Sequence, residues 1–287
     1  MLPYQSLDIK GPDAPRFLQS LITSNIEKLP LHQGTISYCL NRKGRIGISF
    51  FLLHCDTHHY QCICPESTIE TLLKHFQRYN INFKLELAQN KNYCSAIKAS
   101  AEEFLENMPV GNLHQEKALR YFKVSPHHLL CIHPSKNLTD DRSTIQALSL
   151  LSQEEWQLAL IQNHKLEITG EIQSMFLPQE AGLFEHKNAI SVKKGCYLGQ
   201  EIVARLHFLG QAKKTLQGFY YPEKINIALL DEVMQNDKKI GSVVSHASHN
   251  NKTWLLCIIN KQALEDTQAS LKLSKHPEPL VHFKRPS

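Results

Sequence analysis

Lys193-Lys194-Gly195-Cys196-Tyr197-Leu198-Gly199-Gln200-Glu201-Ile202-Val203-Ala204-Arg205 is the stretch on which the reading of this chain turns. It sets a thiol between a pair of ammonium groups and an aromatic ring. Neighbouring cations favour thiolate over thiol, and the thiolate is the form that attacks electrophiles or binds metals. The flanking glycines permit close approach of backbone or ligand. Lys-Lys and Gln-Glu are poor core residues, so the segment does not read as an ordinary buried strand. A plainer reading, a turn holding a buried cysteine beside a solvated lysine pair, accounts for the same residues. A thiol here serves as nucleophile, cluster ligand or redox sensor, and spacing alone does not choose.

Outward from this stretch the chain reads as α+β. Asp13 is placed to cap a helix that begins at Ala14-Pro15 and carries Phe17, Leu18, Leu21, Ile22 and Ile26 on one face. Residues 35–40 and 46–54 read as strands across the turn Asn41-Arg42-Lys43-Gly44, with a further strand near 60–64. Residues 68–79 form an amphipathic helix whose Ile69, Leu72, Leu73, Phe76 and Tyr79 share a face. Residues 82–87 alternate as a half-buried strand does. Ser100-Ala101-Glu102-Glu103 and Ser152-Gln153-Glu154-Glu155 are capping boxes that open further helices. Strands and helices interleave with several β-β neighbours, which suggests α+β plaits rather than a doubly wound parallel sheet. Beyond Gly210, residues 214–220, 239–245, 253–259 and 271–283 read as strands of a small β-barrel.

The 287 residues suffice for two or three compact units, and 42% hydrophobic content supports ordinary cores. The longest apolar stretch, 46–53, is far short of the ~20 residues of a membrane helix. Met1-Leu2-Pro3-Tyr4 begins no signal peptide, so a cytoplasmic protein without membrane contact is expected. Eight scattered cysteines without a C-x-x-C pair fit a reducing compartment. A net charge of +5 favours an anionic ligand over a cationic one. His54-Cys55-Asp56-Thr57-His58-His59, with Cys62 and Cys64, mixes ligating side chains but lacks metal-site spacing, and no metal is expected. Arg42, Lys43 and Arg45, together with Lys193, Lys194, Arg205, Lys213 and Lys214, would suit one anionic cleft. Taken singly, each lysine reads as a solubilising turn residue.

The segment from Lys194 to Arg205 also resembles a family signature, K-G-C-Y-x-G-Q-E-x-V-A-R, of the YgfZ proteins. These are folate-binding relatives of the glycine-cleavage T-protein, an aminomethyltransferase. The likeness continues in Phe176-Leu177-Pro178-Gln179, in Gly210 followed by Lys213 and Lys214, and in Ile9 to Ala14 with Phe17-Leu18-Gln19. Tyr38-Cys39 with Lys43-Gly44-Arg45 resembles the family's N-terminal hairpin. The resemblance implies two interleaved ferredoxin-like subdomains over residues 1–208 and a C-terminal β-barrel over 209–287. It implies a folate cofactor, tetrahydrofolate or a derivative, held by Tyr4, Trp156, Gln162, Tyr197, Gln200, Glu201 and Arg205. Trp156 and Tyr4 match the family's two pocket tryptophans, and Gln162 stands where a Glu is usual.

By the same resemblance Cys196 is the reactive residue and Lys194 tunes or positions it. The implied function is support of iron–sulfur cluster assembly or repair. The implied partners are cluster enzymes such as tRNA methylthiotransferases, which link the protein indirectly to tRNA modification. T-protein relatives carry an acidic pair where this chain has Ile48 and Ser49, so aminomethyl transfer is not expected. A folate-dependent one-carbon transferase using another acid, and a non-catalytic RNA- or protein-binding module, are the alternatives.

Overall fold

Runs of apolar residues supply the strands, and their pairings are antiparallel, those of Ile46–Asp56 with His59–Pro65, Leu119–Ser125 with His128–His133 and Lys238–His249 with Lys252–Asn260 across short turns. The computed structural model describes residues 1–90, 92–99, 103–134, 149–266 and 269–285. They fall into two units, one of Met1–Leu40, Gly47–Gln153 and His186–Leu198, the other of Asn41–Ile46, Glu154–Glu185 and Gly199–Ser287.

In the first unit β1 (Tyr4–Lys10), α1 (Ala14–Leu21), β2 (Gly34–Leu40), β3 (Ile46–Asp56), β4 (His59–Pro65), α2 (Glu66–Tyr79) and β5 (Glu86–Asn90) follow in order. The strands form a sheet in the order β2-β3-β4-β1-β5. Phe17 of α1 and Phe50 of β3 meet Phe76 of α2 edge-on, at 5.6 and 6.2 Å between centroids. Each such pair adds about 0.5–1.5 kcal/mol beyond the area it buries. The helical period of α2 is realised: Ile69, Leu72 and Phe76 are buried, with Leu73 and Tyr79 packed beside them.

Local expectations fail where a tertiary partner competes. Asp13 precedes α1 but its carboxylate caps nothing there; it accepts the Lys84 amide at 2.8 Å. The helix ends at Leu21, so Ile22 turns extended and pairs with Cys39, and Ile26 opens a 3₁₀ turn instead of extending the face. The strand expected over 82–87 starts only at Glu86. Asn82 adopts a left-handed φ of 62°, and Phe83 turns in to meet Phe17 at 5.2 Å.

A second sheet of the same unit contains β6 (Tyr93–Lys98), β7 (Leu113–Glu116), β8 (Leu119–Ser125), β9 (His128–His133) and β10 (Leu150–Leu151), ordered β10-β6-β9-β8-β7. Residues 100–102 of the first capping box lie outside the described residues; its Glu103 opens α3 (Glu103–Asn107). Lys123 of β8 is buried, and its Nζ donates to the carbonyls of Leu105 at 2.6 Å and Glu106 at 3.3 Å. It thereby satisfies carbonyls that the short helix leaves open. The two sheets are tied where Leu2 pairs with Cys94 and Gln33 with Asn112.

The second unit carries α4 (Gln153–Gln162), which starts beside Ser152 as the second capping box implies, and α5 (Gln200–Leu209). Then come β11 (Lys214–Tyr221), β12 (Glu232–Gln235), β13 (Lys238–His249), β14 (Lys252–Asn260), β15 (Lys272–Leu273), β16 (His276–Pro279) and β17 (Val281–Phe283). They form a curled sheet in the order β16-β15-β12-β13-β14-β11-β17. The expected barrel is a half-barrel, and its two edge strands β16 and β17 are separated in sequence only by Leu280. Phe219, Val233, Val243, Leu255 and Cys257 line its core. α4 is fastened to β13 by Gln157 Nε2 donating to Ser245 Oγ at 2.8 Å and the Ser248 amide donating to Glu154 at 3.0 Å. Among the described residues no helix is long and apolar enough to cross a membrane.

Candidate functional site

The signature segment divides between the units, and its first half is built into the first one. The loop after α1 is laced to residues 189–191: Thr23 Oγ1 donates to the Ala189 carbonyl at 2.7 Å, and the Ser191 amide donates to the Thr23 carbonyl at 2.9 Å. Lys194 completes this lacing. Its Nζ donates to the carbonyls of Ile22 at 2.5 Å and Ser24 at 2.7 Å and sits 4.8 Å from the centre of the Tyr197 ring. Burial pushes the Lys194 pKa from 10.5 down to about 7, against the opposite pull of Cys39 and Glu27. The lysine expected to tune the thiol thus points its ammonium into the interior.

Cys196 is exposed, whereas Cys55 is half-buried and the other six cysteines are buried. Burial raises the thiol pKa of Cys55 to about 11 and of Cys94 and Cys131 to about 12. Tyr197 is buried, which raises its phenol as well. Gly195 is not required by space: a Cβ there would meet nothing within 4 Å. The space beside this glycine is open.

In the second unit three separate pieces of the resemblance come together. Gly199 precedes α5 with a left-handed φ of 80°. Gly44, at φ 70°, lies so close that a Cβ would fall 2.8 Å from Cβ of Ile202. Arg45 Nη1 donates to the Met175 carbonyl, and the Ile46 amide donates to Phe176 at 2.9 Å. Gln179 Nε2 donates to the Val203 carbonyl of α5 at 2.8 Å. The hairpin turn, the Phe-Leu-Pro-Gln run and the signature helix therefore form one hydrogen-bonded group. Glu201 and Arg205 are exposed on α5, and Gln200 is half-buried at its start. Trp156 lies on α4 at only 1% exposure, and Gln162, half-buried, ends that helix. The tryptophan ring is enclosed rather than presented to solvent.

Tyr4 lines a cavity of about 670 Å³ in the first unit, with Gln5, Glu66, Gln89, Asn92 and Tyr93 among its walls. Gln89 Nε2 donates to Gln5 Oε1, and Gln5 Nε2 donates to Glu66 Oε1 at 2.9 Å. The amides and the carboxylate are thus oriented as a relay beside two tyrosine rings. A flat heteroaromatic ligand with donors and acceptors on its edge fits such walls. Sequence reasoning missed Gln5, Glu66, Gln89 and Asn92. They carry no local signal and meet because β1 pairs with β5, placing Leu7 opposite Gln89, and with β4, placing Tyr4 opposite Pro65 just before Glu66.

The His54–Cys64 stretch has other tasks. His54 Nδ1 bonds the Leu29 carbonyl at 2.9 Å, and Arg120 Nη1 donates to Cys55 Sγ at 3.5 Å. Among the described residues no group of three or more His, Cys, Asp or Glu could hold a metal. Ile48 and Ser49 are both buried on β3, where the T-protein acids were expected by analogy to be missing.

Residues 2–133 match the GCVT N-terminal domain family. A tRNA-modifying protein YgfZ from Photorhabdus laumondii is 26% identical over 268 residues, covering 87% of this chain and 80% of that protein. Another from Buchnera aphidicola of Acyrthosiphon pisum is 28% identical over 222 residues, covering 74% of this chain and 68% of its own. This chain is similar to the YgfZ proteins over most of its length. An uncharacterized protein of Haemophilus influenzae, 22% identical, extends over 93% of this chain and 90% of its own length. The solved aminomethyltransferase T of the Bartonella henselae glycine cleavage system superposes with a TM-score of 0.75 at 13% identity, covering 98% of this chain and 82% of that one. The chain therefore has the T-protein fold.

Proposed function

We propose that this protein is a folate-binding factor of the YgfZ type that supports assembly or repair of iron–sulfur clusters, with Cys196 as its reactive residue. Through cluster enzymes such as tRNA methylthiotransferases it affects tRNA modification, as an accessory factor in the cytoplasm. The observation that carries the reading is the exposure of Cys196 beside seven cysteines withdrawn from solvent. A thiol must be accessible and able to ionise to react, and burial disfavours the thiolate at Cys39, Cys55, Cys62, Cys94, Cys131 and Cys257. The two five-stranded sheets are read as the two ferredoxin-like plaits of the family.

Folate is assigned to the cavity beside Tyr4. The rings of Tyr4 and Tyr93 suit a pterin face, and the Gln5, Gln89 and Glu66 side chains suit its edge. When bound, folate would supply one-carbon chemistry; the residues of this chain supply only its binding and orientation. Gln162 and Trp156, with Tyr197, Gln200, Glu201 and Arg205, do not line this cavity and are carried as folate residues by resemblance alone. Aminomethyl transfer is excluded from the proposal because Ile48 and Ser49 offer no carboxylate for the proton transfers it needs.

Two measurements test the reading separately. Isothermal titration with a reduced folate is expected to show binding that Tyr4→Ala weakens. Heat signals absent with every reduced folate would remove the cofactor assignment. Cys196→Ser, introduced into cells lacking the native protein, is expected to leave iron–sulfur enzyme activity low while the protein accumulates normally. Full restoration of that activity would make the signature structural.

A further inference from the structure

α5 is a ten-residue helix of which only Val203 is buried. Around it large apolar side chains face solvent: Ile202 is 38% exposed, Phe208 62% and Leu209 83%, with Met175 at 39% and Phe184 at 36%. The Phe184 and His207 rings stack at 4.6 Å, and Phe208 meets His207 edge-on at 5.0 Å, so these side chains form one surface. The Arg45 contact to the Met175 carbonyl and the Gly44 approach to Ile202 bring the hairpin turn against the N-terminal end of the helix. Single exposed apolar residues need no explanation, but the connected rings of Phe184, His207 and Phe208, with Leu209 beside them on a scarcely buried helix, mark an interaction site.

The rim of this surface is basic. Arg42, Lys43, Arg205, Lys213 and Lys214 are all exposed around the helix, against Glu201 on it and Glu185 beside it. A second copy of the same face would meet its own positive charge, which disfavours self-pairing. The aliphatic groups decide between the remaining partners. Ile202, Leu209 and Met175 gain by covering with other apolar side chains, whereas nucleic-acid strands are held by stacking and phosphate contacts. Aromatic residues, Met and Arg are also the side chains enriched in protein interfaces.

We propose that the exposed face of α5 is a docking surface for an acidic segment of a partner protein that presents its own apolar stripe. Phe208 and Leu209 are the anchors, and Lys213 and Lys214 with Arg205 set the charge preference. The proposal stands apart from the chemistry of Cys196 and from the cavity beside Tyr4, and its anchors Phe208 and Leu209 are not among the folate residues; Arg205 is shared with the folate set.

The test uses the full chain and a fluorescein-labelled synthetic peptide with leucines at helical spacing and glutamates on the flanks. Anisotropy is expected to report binding roughly 10-fold or more tighter than for the same peptide with lysines on its flanks, a tenfold ratio being ~1.4 kcal/mol. Phe208→Ser with Leu209→Ser, and separately Lys213→Glu with Lys214→Glu, are each expected to weaken binding with an unchanged melting temperature. Labelled oligouridine and phosphatidylcholine vesicles containing phosphatidylglycerol complete the comparison. Failure of the acidic peptide to bind, or equal binding by the Ser/Ser variant, overturns the proposal. So does loss of oligouridine or vesicle binding in that variant while the peptide remains indifferent to it.

Discussion

An ammonium group set against two carbonyls and a ring inside a protein titrates differently from one in water. Lys194 has a folded-state pKa of about 7 against an ordinary 10.5, so between these values the unfolded chain binds its proton more tightly. Stability then rises with pH across that window. Chemical denaturation of the native protein and of Lys194→Met at pH 7 and pH 9 is expected to shift the comparison towards the native protein at the higher pH. The opposite shift would mean that the carbonyls stabilise the charged form more than burial penalises it. Glycines of the same region separate in the same way. Gly195→Ala should stay within about 0.5 kcal/mol of the parent because the site is open. Gly44→Ala combines φ +70° with a contact 2.8 Å from Ile202, and should lose more than about 1 kcal/mol by denaturant midpoint. The sequence marks both as glycines of a motif, and only the surroundings tell them apart.

Among the elements, α2 was the most legible, because its apolar period and its buried face are the same set of residues. Phe76→Ala removes a ring that meets both Phe17 and Phe50 and should destabilise the protein by about 3–5 kcal/mol in equilibrium unfolding. A value below ~1 kcal/mol would mean that the cavity collapses. α3 is the contrary case. Its end is held by Lys123, a residue that in sequence looks like a solvated charge in the middle of a strand. Lys123→Met should destabilise by about 1–3 kcal/mol through the carbonyls it leaves bare, although methionine is the better core residue. An unchanged stability would show that water or another donor takes over. The late start of β5 was invisible for a related reason: residues 82–87 have the alternation of a strand, but Phe83 gains more by packing on Phe17.

Across the whole molecule the eight thiols form a map of burial that can be read chemically. Iodoacetamide at neutral pH is expected to label Cys196 first in the native protein and all eight cysteines after denaturation, as peptide mass spectrometry would record. Faster labelling of Cys55 or of a buried cysteine would contradict the fold and the proposal together. The sequence by itself did not determine the strands β6 to β10 or the helix α5, but it determined the α+β class, the helices α1, α2 and α4, the strands β2 to β4, β11, β13 and β14, the turn at Asn41 to Gly44 and the signature around Cys196. These are matters of local period, turn chemistry and pattern, which a segment carries wherever it lies. Only the tertiary structure decided that the Lys194 ammonium faces inward while Cys196 faces out, and that Trp156 is enclosed. It alone assembled Gln5, Glu66 and Gln89 around Tyr4, and left α5 with an uncovered apolar face. Burial and hydrogen-bond partnership depend on residues far apart in the chain, and no local window of sequence contains them.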